Sequence, residues 1–288
     1  MSRTSVVITP VRDEEKYIES TIHSVVSQTV PPAEWIIVDD GSTDSTAAII
    51  QRYANLYPWI RVFHRKNRGF RKSGGGVIEA FYRGYNAIRC LDWDFIIKLD
   101  GDLSFEAEYF EKVFQYFEKN PRLGIGGGVI YHLEGEQKRL ETCPKFHVRG
   151  ATKFYRRACW EAIGGLWPAP GWDTIDEVKA NMLGWTTMSF ADLHLLHHRF
   201  TGSADGCWTG MVKNGRADYI SGYHPLFMLA KCITRLARRP VIIGSLASLY
   251  GFATGYLKRI PQVDDRELIR YLRHEQLARL LGKETIWR

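Results

Sequence analysis

Asp94-Phe-Ile-Ile-Lys-Leu-Asp100-Gly101-Asp102 is the segment that says most about the fold of this chain. Its interior is apolar except for Lys98, which is typical of a short strand buried on both faces. The strand ends in two carboxylates one residue apart, at the point where open α/β sheets bind ligands. Because hard oxygen donors suit Mg²⁺ or Mn²⁺, Asp100 and Asp102 predict a metal site. The alternative is a solvated turn, since Asp-Gly is also a common turn dipeptide.

Three units of strand and helix precede this segment. Strands are predicted at Ser5 to Thr9, at Trp35 to Val38 and at Ile60 to Phe63, and apolar residues at helical spacing follow each of them. The second strand again ends in carboxylates, Asp39 and Asp40. Four strands alternating with helices predict an α/β fold with a doubly wound, mainly parallel sheet, whose loops gather at the carboxyl ends of the strands.

A basic, glycine-rich loop connects the third strand to the next helix. It runs from His64 to Gly76 and contains Arg71 and Lys72 shortly before three consecutive glycines. Glycine lets backbone N–H groups approach an anion, and Arg and Lys supply positive charge. The alternative is a flexible, solvated loop. Together with the acidic strand ends, the loop predicts a crevice that holds a metal and a nucleotide diphosphate.

Composition narrows the class of protein. The 288 residues are 45% apolar, which suffices for a large core and excludes a disordered chain. The net charge of +7 fits an anionic partner, namely nucleic acid, nucleotide phosphates or an acidic membrane surface. The basic residues carry no nucleic-acid recognition motif, so no nucleic-acid partner is expected. Five scattered cysteines and a very short N-terminal apolar run indicate neither a disulfide framework nor a signal peptide, which favours a cytoplasmic protein.

Three motifs carry a resemblance to a known family: Val6-Val7-Ile8-Thr9-Pro10-Val11-Arg12-Asp13-Glu14, Ile37-Val38-Asp39-Asp40-Gly41-Ser42-Thr43-Asp44 and Leu99-Asp100-Gly101-Asp102. In this order and at these intervals they resemble the signatures of family 2 glycosyltransferases with the GT-A fold. The resemblance covers residues 1 to 200 and weakens afterwards. It implies an inverting transferase that uses a nucleotide-sugar, most often a UDP-sugar, together with Mn²⁺ or Mg²⁺.

The resemblance also implies roles for individual residues. Asp40 matches the residue that contacts the base, Glu14 a residue that lines the nucleotide pocket, and Asp102 the metal ligand. Arg12 departs from the family pattern, in which an aromatic residue is usual, and either weakens base stacking or adds a phosphate contact. The donor site is assigned to Pro10, Arg12, Glu14, Asp40, Arg71, Lys72 and Asp100.

The second half of the chain offers a candidate catalytic base. Asp173 can cap a helix on which Asp176 and Glu177 follow one turn later, and capping alone would explain the first acid. Members of the family carry an acidic pair at the start of a helix that ends at Gly plus an aromatic residue. Counting back from Gly184-Trp185 puts Asp173 on the catalytic carboxylate. The acid that usually precedes it is absent here, so Asp176 and Glu177 remain alternative bases.

Histidines are concentrated in the segment from Leu193 to Arg199. Related enzymes often place a histidine here as a further metal or diphosphate contact. His198 is therefore the candidate metal ligand, with His197 as the second choice. The alternative is that these histidines lie in the core or in solvent without a ligand role.

The expected organisation is a catalytic domain followed by a helical tail. Residues 1–214 would form the catalytic domain, with nucleotide-sugar binding in 1–103 and the acceptor half in 104–214. A helix with a buried aromatic stripe is predicted from Leu103 to Asn120. Residues 215–288 would form basic amphipathic helices, and residues 241–257 carry no charge. This run is shorter than the ~20 residues of a spanning helix, which leaves packing on the domain, binding at a membrane surface, or a short span.

The sequence thus predicts a metal-dependent, inverting glycosyltransferase of polysaccharide or glycolipid biosynthesis. It would move a sugar from a nucleotide-sugar to a hydroxyl of a saccharide or lipid-linked acceptor, and inversion requires a base for the acceptor proton. Two alternatives stay open: a polyprenyl-phosphate sugar synthase, which shares the N-terminal motifs, and a non-catalytic sugar-nucleotide binding protein. If the tail binds lipid, the inner face of a membrane is the expected location.

Overall fold

The first half of the sheet is parallel, as the alternating pattern predicts. The computed structural model describes residues 3–70, 75–134, 137–141, 143–199, 206–236 and 242–287. The first strands are β1 (Ser5–Val11), β2 (Glu34–Asp39), β3 (Ile60–His64) and β4 (Phe95–Leu99), connected by α1 (Ile18–Val26), α2 (Thr46–Leu56) and α3 (Gly75–Tyr85). They lie in the order β3-β2-β1-β4, and all neighbours are parallel. Their carboxyl ends therefore meet at one edge of the sheet.

The second half of the sheet is mixed. Its elements are β5 (Leu103–Phe105), α4 (Tyr109–Lys119), β6 (Leu123–Glu134), β7 (Gln137–Leu140), β8 (Thr152–Arg156), α5 (Arg157–Ile163), α6 (Trp172–Met182) and β9 (Thr186–His197). β8 pairs antiparallel with β4 and β6, β9 runs parallel to β6, and β5 pairs antiparallel with β9. The predicted α/β fold is confirmed, with a parallel first half and a mixed second half.

One predicted helix is a strand followed by a helix. Residues Leu103–Phe105 pair with β9, and α4 begins only at Tyr109. The hydroxyl of Thr21 in α1 accepts from the N–H of Leu103 and donates to its carbonyl, at 2.9 and 2.8 Å. The prediction of a helix from Leu103 was wrong because these contacts with α1 and β9 favour an extended backbone. The aromatic stripe that follows is confirmed, since Tyr109, Val113, Phe114 and Phe117 are buried.

Each face of the sheet has its own hydrophobic core. Val7 and Ile37 point towards α1, α2 and α4, and Ile8 and Ile36 point towards α3, α5 and α6. This alternation follows from the two-residue period of a strand, and it explains why β1 and β2 are apolar along their whole length. The carboxylates that follow these strands lie where the apolar runs end.

The helical tail packs on α6 through a third core. Its helices are α7 (Cys207–Ile220), α8 (Pro225–Arg235), α9 (Ile243–Leu257) and α10 (Arg266–Leu280). Ile175 and Val178 of α6 share this core with Tyr219, Phe252 and Leu268. The predicted domain boundary after residue 214 falls inside α7. Among the described helices, none has both the length and the apolar composition required to cross a membrane.

Candidate functional site

The carboxyl ends of β1 and β2 hold a carboxylate that two arginines contact. Asp40 follows β2, and its N–H donates to the carbonyl of Val11 at 2.8 Å. Arg65 donates to one carboxylate oxygen of Asp40 at 2.7 Å, and Arg68 donates to both oxygens at 2.7 and 2.5 Å. Arg68 also donates to Glu79 of α3 at 2.9 Å. The candidate base-contacting residue is therefore held by two guanidinium groups of the chain itself.

The basic loop lies against the end of β1. Arg12 donates to the carbonyl of Phe70 at 2.9 Å and to Oδ1 of Asn67 at 3.0 Å. Gly41 permits this approach, because its φ is +78° and a Cβ there would lie 2.5 Å from Cα of Asn67. The half-buried Pro10 lies in β1 two residues before Arg12. Arg12, Asp40 and the described part of the loop thus meet at one corner of the sheet.

Arg199, directly after β9, joins two candidate site residues. Its guanidinium donates to Oε2 of Glu14 at 2.5 Å and lies 3.9 Å from Oδ2 of Asp102. Gly101 brings the turn after β4 close to the end of β1, since a Cβ there would lie 2.7 Å from Cγ1 of Val11. The ends of β1, β4 and β9 therefore meet at one place.

Asp100 and Asp102 lie at the end of β4 but have different partners. Asp102 is 6% exposed and its Oδ1 lies 3.1 Å from Nε2 of His197. Burial opposes the ionisation of Asp102, but the hydrogen bond and charge of His197, with Arg199 and Lys98, lower its pKa below the ordinary value. The side chain of Asp100 is 30% exposed and pairs with Lys98. Asp102 is therefore held as a carboxylate, and Asp100 faces solvent more fully.

The structure separates the two candidate histidines. His197 contacts the carboxylate of Asp102, whereas Nε2 of His198 lies 2.6 Å from Oγ of Ser104. The ring of His198 stacks on Tyr17 with 5.5 Å between the ring centroids, and burial lowers its pKa. The sequence favoured His198 as the metal ligand, but His197 is the histidine that lies against the candidate metal carboxylate.

The acidic end of β4 fits a divalent cation that shares its coordination with a substrate. Within the described ranges, no three His, Cys, Asp or Glu side chains are grouped closely enough to hold a metal by themselves. Mg²⁺ and similar hard cations usually bind phosphate sites through one or two carboxylates, completed by water and phosphate oxygens. Asp102 and Asp100, two residues apart, supply carboxylates of this kind, and His197 contacts Asp102 through a hydrogen bond.

The three candidate bases at the start of α6 differ in exposure. Asp173 is half-buried, whereas the side chains of Asp176 and Glu177 are 0% exposed and pair with Lys153 at 2.9 and 2.8 Å. Burial raises the pKa of Asp176 to about 6. Burial also opposes the ionisation of Asp173, but His147 and Lys153 lower its pKa. Asp176 and Glu177 offer no surface to an acceptor hydroxyl, so the geometry favours Asp173.

The candidate base is a neighbour of the acidic strand end. The N–H of Asp100 donates to the carbonyl of Ala151 at 2.8 Å, and Lys98 donates to the carbonyl of Gly150 at 2.6 Å. A Cβ at Gly150 would lie 3.4 Å from Cβ of Asp173. Gly150 and Ala151, just before β8, therefore lie between Asp173 on one side and Asp100 on the other.

The sequence analysis missed three arginines near the candidate site, and two of its predicted site residues lie outside the described part of the chain. Arg71 and Lys72 are outside the described residues, so their predicted phosphate contacts stay predictions. Arg65, Arg68 and Arg199 contact the candidate carboxylates but were not predicted as site residues. For the first two, the density of basic residues between 64 and 72 was the available signal. No comparable sequence signal pointed to Arg199, because its partners are distant in sequence.

Comparison with known proteins identifies the family of the first half of the chain. The family model described as Glycosyl transferase family 2 matches residues 6–161. The cholesterol galactosyltransferase of Borreliella burgdorferi is 32% identical over 129 residues, which are 44% of this chain and 33% of that protein. The putative teichuronic acid biosynthesis glycosyltransferase TuaG of Bacillus subtilis is 34% identical over 111 residues, which are 38% of this chain and 40% of TuaG. The chain thus spans less than half the length of these relatives.

Solved structures share the fold at low sequence identity. TarS of S. aureus in complex with UDP has a TM-score of 0.54 and 16% identity, over 88% of this chain and 72% of that chain. The mannosyltransferase PcManGT from Pyrobaculum calidifontis, in complex with GDP-Man and Mn²⁺, has a TM-score of 0.55 and 16% identity, over 98% of this chain and 76% of that chain. At this identity the likeness establishes the mixed α/β fold alone.

Proposed function

This chain belongs to glycosyltransferase family 2, and we propose on that basis that it transfers a sugar from a nucleotide-sugar to a hydroxyl of a saccharide or lipid-linked acceptor. The observation that carries the proposal is the meeting of three functional groups at one edge of the sheet: Asp40 with its arginines, Glu14 with Arg199, and Asp102 with His197. The names of the relatives, a cholesterol galactosyltransferase and a teichuronic acid glycosyltransferase, support a role in glycolipid or polysaccharide biosynthesis.

The donor would lie along this edge with its base near Asp40 and its diphosphate near Asp102. We favour a UDP-sugar, as the resemblance to the family implies. Asp40 already accepts three N–H groups from the two arginines and keeps about one further acceptor site, which would accept the uracil N–H. Arg12 and Arg199 supply positive charge on either side of the diphosphate. A bound Mn²⁺ or Mg²⁺, held by Asp102 with Asp100 or His197, would add charge that stabilises the departing diphosphate.

Asp173 is the proposed general base. In a single displacement, its carboxylate takes the proton of the acceptor hydroxyl while that oxygen forms a bond to the anomeric carbon. The bond from the anomeric carbon to the diphosphate oxygen breaks on the opposite face, so the configuration inverts. The low pKa of Asp173, which His147 and Lys153 maintain against the effect of burial, keeps the base deprotonated near neutral pH.

The donor half of the proposal is tested by ligand-induced thermal stabilisation. A panel of nucleotide-sugars with and without Mn²⁺ should raise the Tm for the correct donor, and UDP-sugars should rank first. Asp102→Asn should remove the part of this shift that depends on Mn²⁺, while Asp92→Asn, which alters an exposed carboxylate away from the site, should retain it. An unchanged Mn²⁺-dependent shift in Asp102→Asn would refute the metal assignment.

The catalytic half is tested by transfer assays. Asp173→Asn should lower the transfer rate by roughly 10²- to 10⁴-fold and leave the donor-induced Tm shift intact. Parallel assays with saccharide, glycolipid and polyprenyl-phosphate acceptors separate the main proposal from a polyprenyl-phosphate sugar synthase. Donor binding without transfer or hydrolysis in any assay would instead indicate a non-catalytic binding protein.

We also propose that the tail attaches the enzyme to the inner face of an anionic membrane. Leu226, Leu229 and Ile233 form one exposed face of α8, between 47% and 58% exposed. Further exposed apolar side chains lie on α9 and beside it, namely Ile242, Ile243, Leu246, Tyr250, Tyr256 and Leu257. α8 and α9 contact each other through a 2.8 Å hydrogen bond from Ser245 to the carbonyl of Cys232. Large exposed apolar surfaces are unusual in water and typical of membrane-binding faces.

Positive charge borders this apolar face. Lys258 and Arg259, at the end of α9, are exposed, and acidic lipids attract such residues by about 1 kcal/mol each. Flotation with anionic vesicles at low salt tests the proposal. The wild-type chain should float, a chain with Ile233→Asp and Leu246→Asp should stay in the dense fraction, and Leu56→Asp, on the exposed end of α2, should float normally. Equal flotation of all three chains, or of none, would exclude this face as the attachment site.

A further inference from the structure

Two lysines lie opposite each other in the interior of the sheet. Lys98 of β4 and Lys153 of β8 are direct neighbours in the antiparallel pair, and they are 2% and 0% exposed. Like charges directly opposite each other destabilise a sheet, and a buried charge requires partners. Nζ of each lysine lies 5.4 Å from the centroid of the Trp172 ring, which begins α6. Both ammonium groups therefore make a cation–π contact with the same ring.

Lys153 connects the sheet to the start of α6. Its Nζ donates to the main-chain carbonyl of Asp173 at 2.6 Å and to both carboxylate oxygens of Asp176 at 2.9 Å. It also lies 2.8 Å from Oε1 of Glu177. An ammonium group has three donors, so these contacts occupy its full capacity. One side chain of β8 thus contacts the backbone of Asp173 and the carboxylates of Asp176 and Glu177 in the first turns of α6.

The two buried carboxylates have other hydrogen bonds but require the charge of the lysine. The hydroxyl of Tyr155 donates to Asp176 at 2.6 Å, and the N–H of Val148 donates to Glu177 at 2.7 Å. Nδ1 of His147 lies 2.8 Å from the second oxygen of Glu177. Two carboxylates buried together repel each other, and Lys153 is the cation that contacts both.

We infer that Lys153 is a positioning residue that fixes the first turn of α6 and thereby the place of the Asp173 carboxylate. This inference rests on the proposed role of Asp173 as the base. It extends that role, because the lysine does not touch a substrate and acts through the helix. The ammonium also favours the charged form of Asp173 and so lowers its pKa. Charged and titratable groups near Asp173 are His147, Arg149, Lys153, Tyr155, Asp176, Glu177 and Tyr223.

The experiment isolates Lys153 in a background that tolerates its loss. Lys153→Met alone would leave two buried carboxylates without their shared cation, and we expect it to fold poorly. The comparison is therefore between Asp176→Asn and the double variant Lys153→Met with Asp176→Asn. In the double variant, protonated His147 still balances the charge of Glu177. Relative to Asp176→Asn, the double variant should lose about ten-fold in kcat/KM. The acidic limb of its pH profile should move up by about one pH unit, because a base that has lost a nearby cation binds its proton more tightly.

A carboxyl titration by NMR gives the same answer without donor or acceptor. With ¹³C-labelled aspartate, and the Asp173 signal assigned through Asp173→Asn, the pKa of Asp173 should rise in the double variant. This readout stays valid if the protein proves not to transfer sugar, so failure of the inference and failure of the proposed function are distinguishable. Equal pKa values of Asp173 in the double variant and in Asp176→Asn would overturn the inference.

Two further variants separate a positioning role from simple stabilisation. Tyr155→Phe removes a hydrogen bond to Asp176 without changing any charge, so it should lower Tm and leave the pH profile and the pKa of Asp173 unchanged. Lys153→Arg keeps the charge but replaces the compact ammonium by a larger planar group. It should keep the acidic limb in place while lowering kcat. Wild-type kcat in Lys153→Arg, or a pH profile shifted equally by Tyr155→Phe, would contradict the positioning role.

Discussion

At the scale of single residues, Gly41 controls how closely the basic loop approaches the carboxyl end of β2. It adopts a φ of +78°, and a Cβ would lie 2.5 Å from the backbone of Asn67. Gly69, in the same loop, has nearly the same φ of +79° but no heavy atom within 4 Å of its would-be Cβ. The two glycines therefore share a conformational cost and differ in steric cost.

We expect Gly69→Ala to lower the free energy of unfolding by about 1 kcal/mol, the cost of a left-handed backbone at a residue with Cβ. Gly41→Ala should lower it by roughly 2–3 kcal/mol, because Asn67 must also move. It should further weaken nucleotide-sugar binding, since Arg12 depends on Asn67 for its position. Urea unfolding and titration calorimetry on both variants provide the measurements. Equal losses of stability and affinity would show that the contact with Asn67 is unimportant.

Single residues also show which parts of the candidate site could be predicted from the sequence and which could not. Asp100 and Asp102 were predictable because they follow an apolar run directly, so that local pattern alone places them at a strand end. The preference for His198 over His197 had no local support, since β9 ends at His197 and the choice depends on the register of β9 against β5. Arg199 was beyond reach because Glu14 lies 185 residues away.

At the scale of elements, α7 and α9 pack closely through glycines. A Cβ at Gly215 of α7 would lie 1.8 Å from the carbonyl oxygen of Ser248, and one at Gly251 of α9 would lie 2.1 Å from that of Val212. Glycine is unfavourable inside a helix by about 1 kcal/mol relative to alanine, so its presence here reflects the close approach of the two backbones.

We predict that alanine substitution of two glycines in these helices changes stability in opposite directions. Gly251→Ala should lower Tm, because the two helices must separate and the loss of packing exceeds the gain in helix propensity. Gly210→Ala in α7, where nothing lies within 4 Å of the would-be Cβ, should raise the free energy of unfolding by up to about 1 kcal/mol. Thermal unfolding by circular dichroism measures both. An increase of Tm in Gly251→Ala would mean that the helices are not held together at this point.

Elements also explain the wrongly predicted helix at Leu103. The aromatic spacing that predicts α4 is genuine, but it does not mark where the helix begins. Leu103–Phe105 becomes β5 because β9 supplies hydrogen-bond partners and Thr21 satisfies both backbone groups of Leu103. Such tertiary pairing overrides a local helical pattern, and the sequence of Leu103–Phe105 alone does not predict the pairing.

At the scale of the whole molecule, the tail and the part of the chain that contains the sheet are joined by shared packing. Lys179 of α6 pairs with Asp265 before α10. The ring of Trp287 lies 5.0 Å from Phe146, which precedes β8, and 5.6 Å from Phe227 of α8. The apolar pattern predicted α8, α9 and α10, but it predicted neither α7 nor the helix faces that pack on α6.

This shared packing predicts a single cooperative unfolding transition. Tryptophan fluorescence and far-UV circular dichroism should give the same Tm, and Trp287→Ala should lower that Tm in both signals together. Burial of part of the indole suggests a loss of roughly 2–3 kcal/mol. Leu281→Ala, which alters a side chain that is 73% exposed, serves as the control and should leave Tm nearly unchanged. Two separate transitions would show that the tail unfolds independently.

The pair of guanidinium groups on Asp40 has a consequence for how an anionic ligand meets this corner of the sheet. An isolated carboxylate there would repel an approaching polyphosphate. Arg65 and Arg68 together balance the charges of Asp40 and Glu79, so this cluster carries no net negative charge while Asp40 still presents acceptor oxygens. An acid at this position would therefore accept hydrogen bonds from a nucleotide base without repelling the phosphates of the same ligand.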